Sequence, residues 1–162
     1  MAKIDTSIYE TRGHTYEIMP IPPIPENCLE IPAGPILFVL ESRLLNEETV
    51  GPGITDGPVL EDGGTSLHVC AASDGLEHLR FDCFEKAPHY HYVRQREQRN
   101  QVLQIDDVAI DPVAWTLQCV RTRLPEMLDY AGADELAAAV RADRAAVDKG
   151  IETVERKIGE LG

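Results

Sequence analysis

The stretch TSLHVCAASDGLEHLRFDCFEKAPHYHYV, residues 65–93, decides how this chain folds. Leu67, Val69 and Ala71 alternate with His68 and Cys70. After Ser73-Asp74-Gly75, Leu79, Phe81 and Cys83 alternate with His78, Arg80 and Asp82. Alternation of period two marks strands with one apolar and one polar face, and the turn residues between them make the pair a hairpin. A two-residue Asp-Gly loop would set Val69 against Arg80 and Leu67 against Asp82, mixing the two faces. A three-residue loop with Gly75 in the left-handed region instead sets Val69 against Leu79 and Leu67 against Phe81, and this register is expected because it keeps the buried pattern together. The other face then carries Cys70 across from His78, His68 across from Arg80, and Ser66 across from Asp82.

Past Ala87-Pro88, His89-Tyr90-His91-Tyr92-Val93 reads as a third strand with both histidines on one side and both tyrosines on the other. Upstream, residues 36–40 (ILFVL) read as a buried strand flanked by Gly34-Pro35. Residues 46–64 hold glycines and acids without a Lys or Arg and read as a solvated loop. Asp56-Gly57 and Asp62-Gly63 within it lack the ligand spacing of a calcium loop. Pro20, Pro22, Pro23, Pro25, Pro32 and Pro35 punctuate the first 35 residues, and an arm lying across a surface is expected there.

Downstream, Asp111 caps a helix with Pro112 at its first position, and Val113, Leu117, Val120 and Leu124 make its apolar stripe. Pro125 should kink or restart that helix and Gly132 should end it. A second helix runs from Asp134, and from Val147 its apolar residues Ile151, Val154, Ile158 and Leu161 follow a 4, 3, 4, 3 spacing, a short coiled-coil seam preceded by Arg144. Gly150 sits inside it at a cost of about 1 kcal/mol relative to Ala. The seam has two possible partners, its own domain or a second subunit; the second is favoured, so a homo-oligomer is expected.

These elements predict an α+β fold: a small antiparallel sheet made of the hairpin plus the His-Tyr strand, two C-terminal helices and an extended Pro-rich N-terminal arm. The predicted divisions are the arm at 1–35, an α+β core at 36–132 and a C-terminal oligomerisation helix at 133–162. A chain of 162 residues buries enough surface to fold without staples. Cys28, Cys70, Cys83 and Cys119 are dispersed, with no C-x-x-C pair, so reduced thiols and a cytoplasmic location are expected. The opening residues contain no apolar export segment, and the longest apolar run is far too short to span a bilayer. The net charge of −13 argues against nucleic-acid and membrane partners, leaving a second copy or another protein.

His89-x-His91 is the sharpest chemical signal. Imidazoles at i and i+2 on a strand project to one side, about 6.5 Å apart at Cα, and suit one divalent ion, zinc or iron. His68, His78 or Asp82 could complete the ligand set. Arg94 and Arg96, with Arg99, form a basic island suited to an anionic substrate. Cys70 with His78 could form a thiolate and base pair. Ser66, His68 and Asp82 share a face by alternation alone and carry no nucleophile elbow. The chain contains no phosphate loop, dinucleotide fingerprint, H-E-x-x-H or zinc-ribbon spacing. Two functions follow: a protein with a divalent-metal or anionic small-molecule site on a histidine-rich sheet face, or a noncatalytic accessory subunit acting through protein contacts.

Overall fold

The computed structural model describes residues 13–45, 61–105 and 110–161. Seven strands form one sheet: β1 (His14–Tyr16), β2 (Cys28–Ala33), β3 (Ile36–Leu45), β4 (Asp62–Ala71), β5 (Glu77–Phe84), β6 (His89–Arg94) and β7 (Arg99–Gln104). Their order is β1-β7-β6-β5-β4-β3-β2, every pairing antiparallel. Thus β2 to β7 form a meander, and β1 joins its far edge. Four helices follow: α1 (Pro112–Thr122), α2 (Leu124–Tyr130), α3 (Asp134–Ala142) and α4 (Arg144–Leu161). No helix among the described residues is long and apolar enough to cross a membrane.

The fold is α+β, but the expected small sheet with two helices and an appended arm is overturned. The Pro-rich segment supplies both sheet edges. Pro32 lies within β2, which is tolerated because an edge strand leaves one side of its backbone unpaired. Strand β3 runs on past Leu40 to Leu45, and β4 begins at Asp62, inside the stretch read as loop. Residues 46–60 lie outside the described residues. On the helical side, Pro125 does restart the chain, as α2, and Gly132 ends that helix at φ 84°. The further break at Asp143 carries no Gly or Pro signal. It places Arg144 where its Nη2 donates to the carbonyls of Val120 (3.1 Å) and Arg121 (2.6 Å), satisfying orphan acceptors at the end of α1.

Alternation sorts the side chains. Phe38, Leu40, Leu67, Val69, Phe81 and Tyr90 point to the helices and are essentially inaccessible. Trp115 of α1 enters this core with ring centroids 4.8 Å from Tyr90 and 6.1 Å from Phe81, spacings at which aromatic pairs attract beyond their area burial. Val147, Ile151 and Val154, the seam of α4, are buried in the same core, with Ile158 packed against it. The seam is therefore covered within the chain.

The other face of the sheet is also buried, but by charge. Glu41, Arg43, Ser66, His68, Arg80, Asp82, His91 and Asn100 are all less than 9% exposed. Residues 17–27 link β1 at one edge to β2 at the opposite edge. Six inter-strand spacings amount to about 29 Å, within reach of this Pro-stiffened link, which ends in a 3-10 turn at Pro25–Asn27. The Ile24 amide donates to Glu41 Oε2 at 2.8 Å, so at that end the strap meets the polar face.

Gly150 explains how α4 seats on the sheet edge. A Cβ added there would lie 2.2 Å from Ala33 Cβ and 3.2 Å from Ala33 Cα. Gly150→Ala gains about 1 kcal/mol of helix propensity against an overpacking penalty of about 1–3 kcal/mol. Net destabilisation is expected, measured by denaturant unfolding; a more stable variant would show that α4 can lift from Ala33 freely.

Candidate metal centre on the polar face of the sheet

The hairpin has the register that alternation demands at its base: Leu67 pairs with Phe81, Val69 with Leu79, Ser66 with Asp82 and His68 with Arg80. Near the tip it differs. Gly75 has φ 74°, but Ala71 N–H donates to Leu76 O (3.0 Å) and Gly75 N–H to Ala71 O (2.8 Å), closing a turn of four residues rather than three. The spare residue is absorbed by a bulge, so Cys70 faces Glu77 and His78 is left over. Regular alternation would have sent Glu77 towards the helices. The bulge turns its carboxylate onto the polar face, where cationic partners wait.

Strand β6 pairs beside β5 with His89 opposite Asp82 and His91 opposite Arg80. The two imidazoles share a side, ring centroids 4.9 Å apart. Asp82 Oδ2 lies 2.9 Å from His89 Nε2 and 2.8 Å from His91 Nε2. Asp82, His89 and His91 are the one group among the described residues whose ligand-type atoms all lie within 4.8 Å of one another. Each is held from behind. Ser66 Oγ donates to Asp82 Oδ1; His89 Nδ1 donates to Ala87 O at 2.8 Å, and His91 Nδ1 to Asn100 Oδ1 at 2.8 Å. A backbone carbonyl can only accept, so the His89 proton sits on Nδ1 and its Nε2 faces an ionised carboxylate. That contact requires a second ring proton or a cation.

Burial alone would raise the Asp82 carboxyl, but hydrogen bonds from His89 and His91 outweigh it and hold the group well below the usual carboxylate range. Burial depresses both imidazoles. The bond to Asp82 and its charge reverse this for His89, which is raised, but not for the more deeply buried His91, which stays lowered.

His68 does not join this group. Its Nε2 contacts Glu41 Oε1 at 2.8 Å and its Nδ1 contacts Glu77 Oε2. With a carboxylate at each nitrogen the ring is an imidazolium, raised against the effect of burial by both partners. Arg80 grips Glu77 with Nε (3.0 Å) and Nη2 (2.8 Å), and Arg43 bonds Glu41 at 3.1 Å. Glu41 and Glu77 are thus matched by Arg43, Arg80 and His68, which leaves Asp82 to Ser66, His89 and His91. Glu41, Glu77 and Asn100 were missed from the sequence; of these Glu41 alone had a signal, as the continuation of the 37, 39, 41 face of β3.

His78, Arg94 and Arg96 lie apart from the cluster. His78 and Arg96 line a groove of about 700 Å³ between the hairpin tip and the start of α3. Arg94 is engaged elsewhere, its Nη1 donating to Tyr130 O, its Nη2 to Gln101 Oε1 at 3.3 Å, and its guanidinium 4.6 Å above the Tyr130 ring. Cys70 lacks the histidine expected across from it, and burial, with the Glu77 charge, pushes its thiol up to about 12, so it is no thiolate nucleophile. All four cysteines are free.

Glu77 gives a direct test of the ionic network. Burial opposes its ionisation, but the bond from His68 and the Arg80 charge hold its carboxyl down to about 2. Glu77→Gln leaves His68 and Arg80 buried without this partner and should cost about 3 kcal/mol at neutral pH. The group is depressed on folding, so its contribution is complete above about pH 4.3 and fades as pH falls towards 2. Unfolding free energies of the two proteins should converge in that window; a constant gap would mean that charge is not what Glu77 supplies.

No curated protein and no solved structure matches the chain. Residues 30–158, which include every strand from the latter part of β2 onward and nearly all of the helical layer, match the family model described as a domain of unknown function, DUF7700, and the chain belongs to that family.

Proposed function

We propose that the protein binds one divalent transition-metal ion, Zn²⁺ or Fe²⁺, through Asp82 Oδ2, His89 Nε2 and His91 Nε2. The observation that carries this reading is the convergence of two imidazole Nε2 atoms on a single carboxylate oxygen, each ring fixed through Nδ1 by an acceptor behind it. Such outer partners set the tautomer and orientation of metal-ligating histidines. Two imidazoles and a carboxylate are the donor set of catalytic zinc and of non-haem iron sites, which keep coordination positions open. Ligand atoms about 2.1 Å from an ion stand about 3.0 Å apart in octahedral and about 3.4 Å apart in tetrahedral geometry. The separations of 2.8 and 2.9 Å need open by only a few tenths of an ångström. The side chain of His89 is 15% exposed against 4% for Asp82, so an open position would face solvent on the His89 side.

An anionic small-molecule site has less support. Arg94 is spent on Tyr130 and Gln101, and Arg96 shares its groove with Asp74, Asp134 and Glu135. The accessory-subunit reading drew on the Pro-rich arm and the α4 seam; the core already covers the seam, and the arm gives β1 and β2 to the sheet.

Tag-free protein grown with added zinc and iron should carry one ion per chain, and His89→Ala/His91→Ala should carry none while keeping its far-UV spectrum. Affinity should fall as pH drops through the raised His89 value, because a proton then competes for Nε2. Wild-type protein without metal, or stoichiometric metal in the double variant, would refute the proposal.

A further inference from the structure

We infer that Asp62, on a different strand from every proposed ligand, is a positioning residue for the metal centre, acting through the backbone of the β5–β6 turn; the inference rests on the metal-binding reading. Asp62 opens β4 and is only 6% exposed. Its Oδ1 accepts from Lys86 N at 2.9 Å and from Gly63 N at 2.9 Å, and its Oδ2 accepts from Ala87 N at 2.8 Å. Glu85 N–H donates to Gly63 O at 3.0 Å. Residues 85–88 of the turn have three backbone N–H groups, since Pro88 has none, and the Asp62-Gly63 pair takes all three.

The same turn holds His89 in place. Ala87 is fixed on its amide side by Asp62, and its carbonyl receives the Nδ1 proton of His89 at 2.8 Å. On the far side Pro88 O accepts from Ile105 N at 2.9 Å, so the turn is pinned to the chain following β7 as well. The carboxylate therefore determines where the Ala87 carbonyl stands, the carbonyl determines the tautomer and rotation of the imidazole, and the imidazole presents Nε2 to Asp82. An isosteric amide cannot substitute: it offers one acceptor oxygen where two oxygens now take N–H donors, and its NH₂ would confront a backbone N–H. Exposed acidic turn residues commonly cap a single amide. A buried carboxylate that collects two amides of a neighbouring turn, next to the residue whose carbonyl orients a candidate ligand, is a support built for that ligand.

The test is a Co²⁺ titration of wild type, Asp62→Asn, His89→Ala and the double variant, with ¹⁵N NMR of the histidine rings. Asp62→Asn should weaken Co²⁺ binding roughly 10- to 100-fold and change the cobalt visible spectrum. Added to His89→Ala it should cost no more than about twofold further, because both changes remove one element. Wild-type affinity in Asp62→Asn, or a full multiplicative loss in the double variant, overturns the inference. The ring signal reads it without metal: the His89 Nδ1–H should be protected in wild type and lost in Asp62→Asn. Wild type that takes no Co²⁺ but shows this ring-proton difference defeats the metal reading and leaves the positioning role standing; an unchanged ring proton defeats the positioning role. Should Asp62→Asn not fold, Asp62→Glu, which keeps the charge but displaces both oxygens, is read the same way.

Discussion

A carboxylate shut away from water has to be paid for, and the polar half of this protein is arranged around that need. Asp82 sits in the middle of a sheet whose two faces are both buried. Ser66 satisfies one of its oxygens, and two imidazoles converge on the other. Without those partners ionised Asp82 would cost several kcal/mol. The same requirement recurs along the face: Glu41 needs His68 and Arg43, and Glu77 needs His68 and Arg80. One side of the sheet is held by the hydrophobic effect, which is non-directional. The other is held by matched charges and fixed donor directions.

That division shows why reading by period worked where it did. Alternation in Leu67, Val69, Leu79 and Phe81 identified the hairpin and its base register, and the spacing of His89 and His91 placed both rings on one side. Adjacency to Asp82 followed once β6 paired with β5. Alternation is silent on residues that break it. The bulge at His78 turned Glu77 over, and with it the partner of Cys70 changed.

The extent of the sheet was harder to read. Strand β1 has three exposed residues, β2 carries Pro32, and β7 (RNQVLQ) mixes polar and apolar residues without a clean period. Each is a strand because a neighbour supplies a ladder, which is tertiary information. The seam of α4 was legible as an apolar stripe, but a stripe reports that a face is covered and not by what. Gly150 is the mark that, in retrospect, points inward: a glycine on a seam signals a backbone close by, and that backbone is Ala33.

The strap has a consequence for the order of assembly. Residue 14 pairs with residue 102, so β1 has nothing to add to until the meander has reached β7. Contacts this distant in sequence carry the largest loop-closure entropy and reward the chain late. Strands β2 to β7 can zip sequentially from local hairpins, with the charged face still open to water while its partners find one another. The N-terminal segment then joins, its Ile24 amide meeting Glu41 at one end of that face. Charges that pair while the face is still wet are not buried before their partners have arrived.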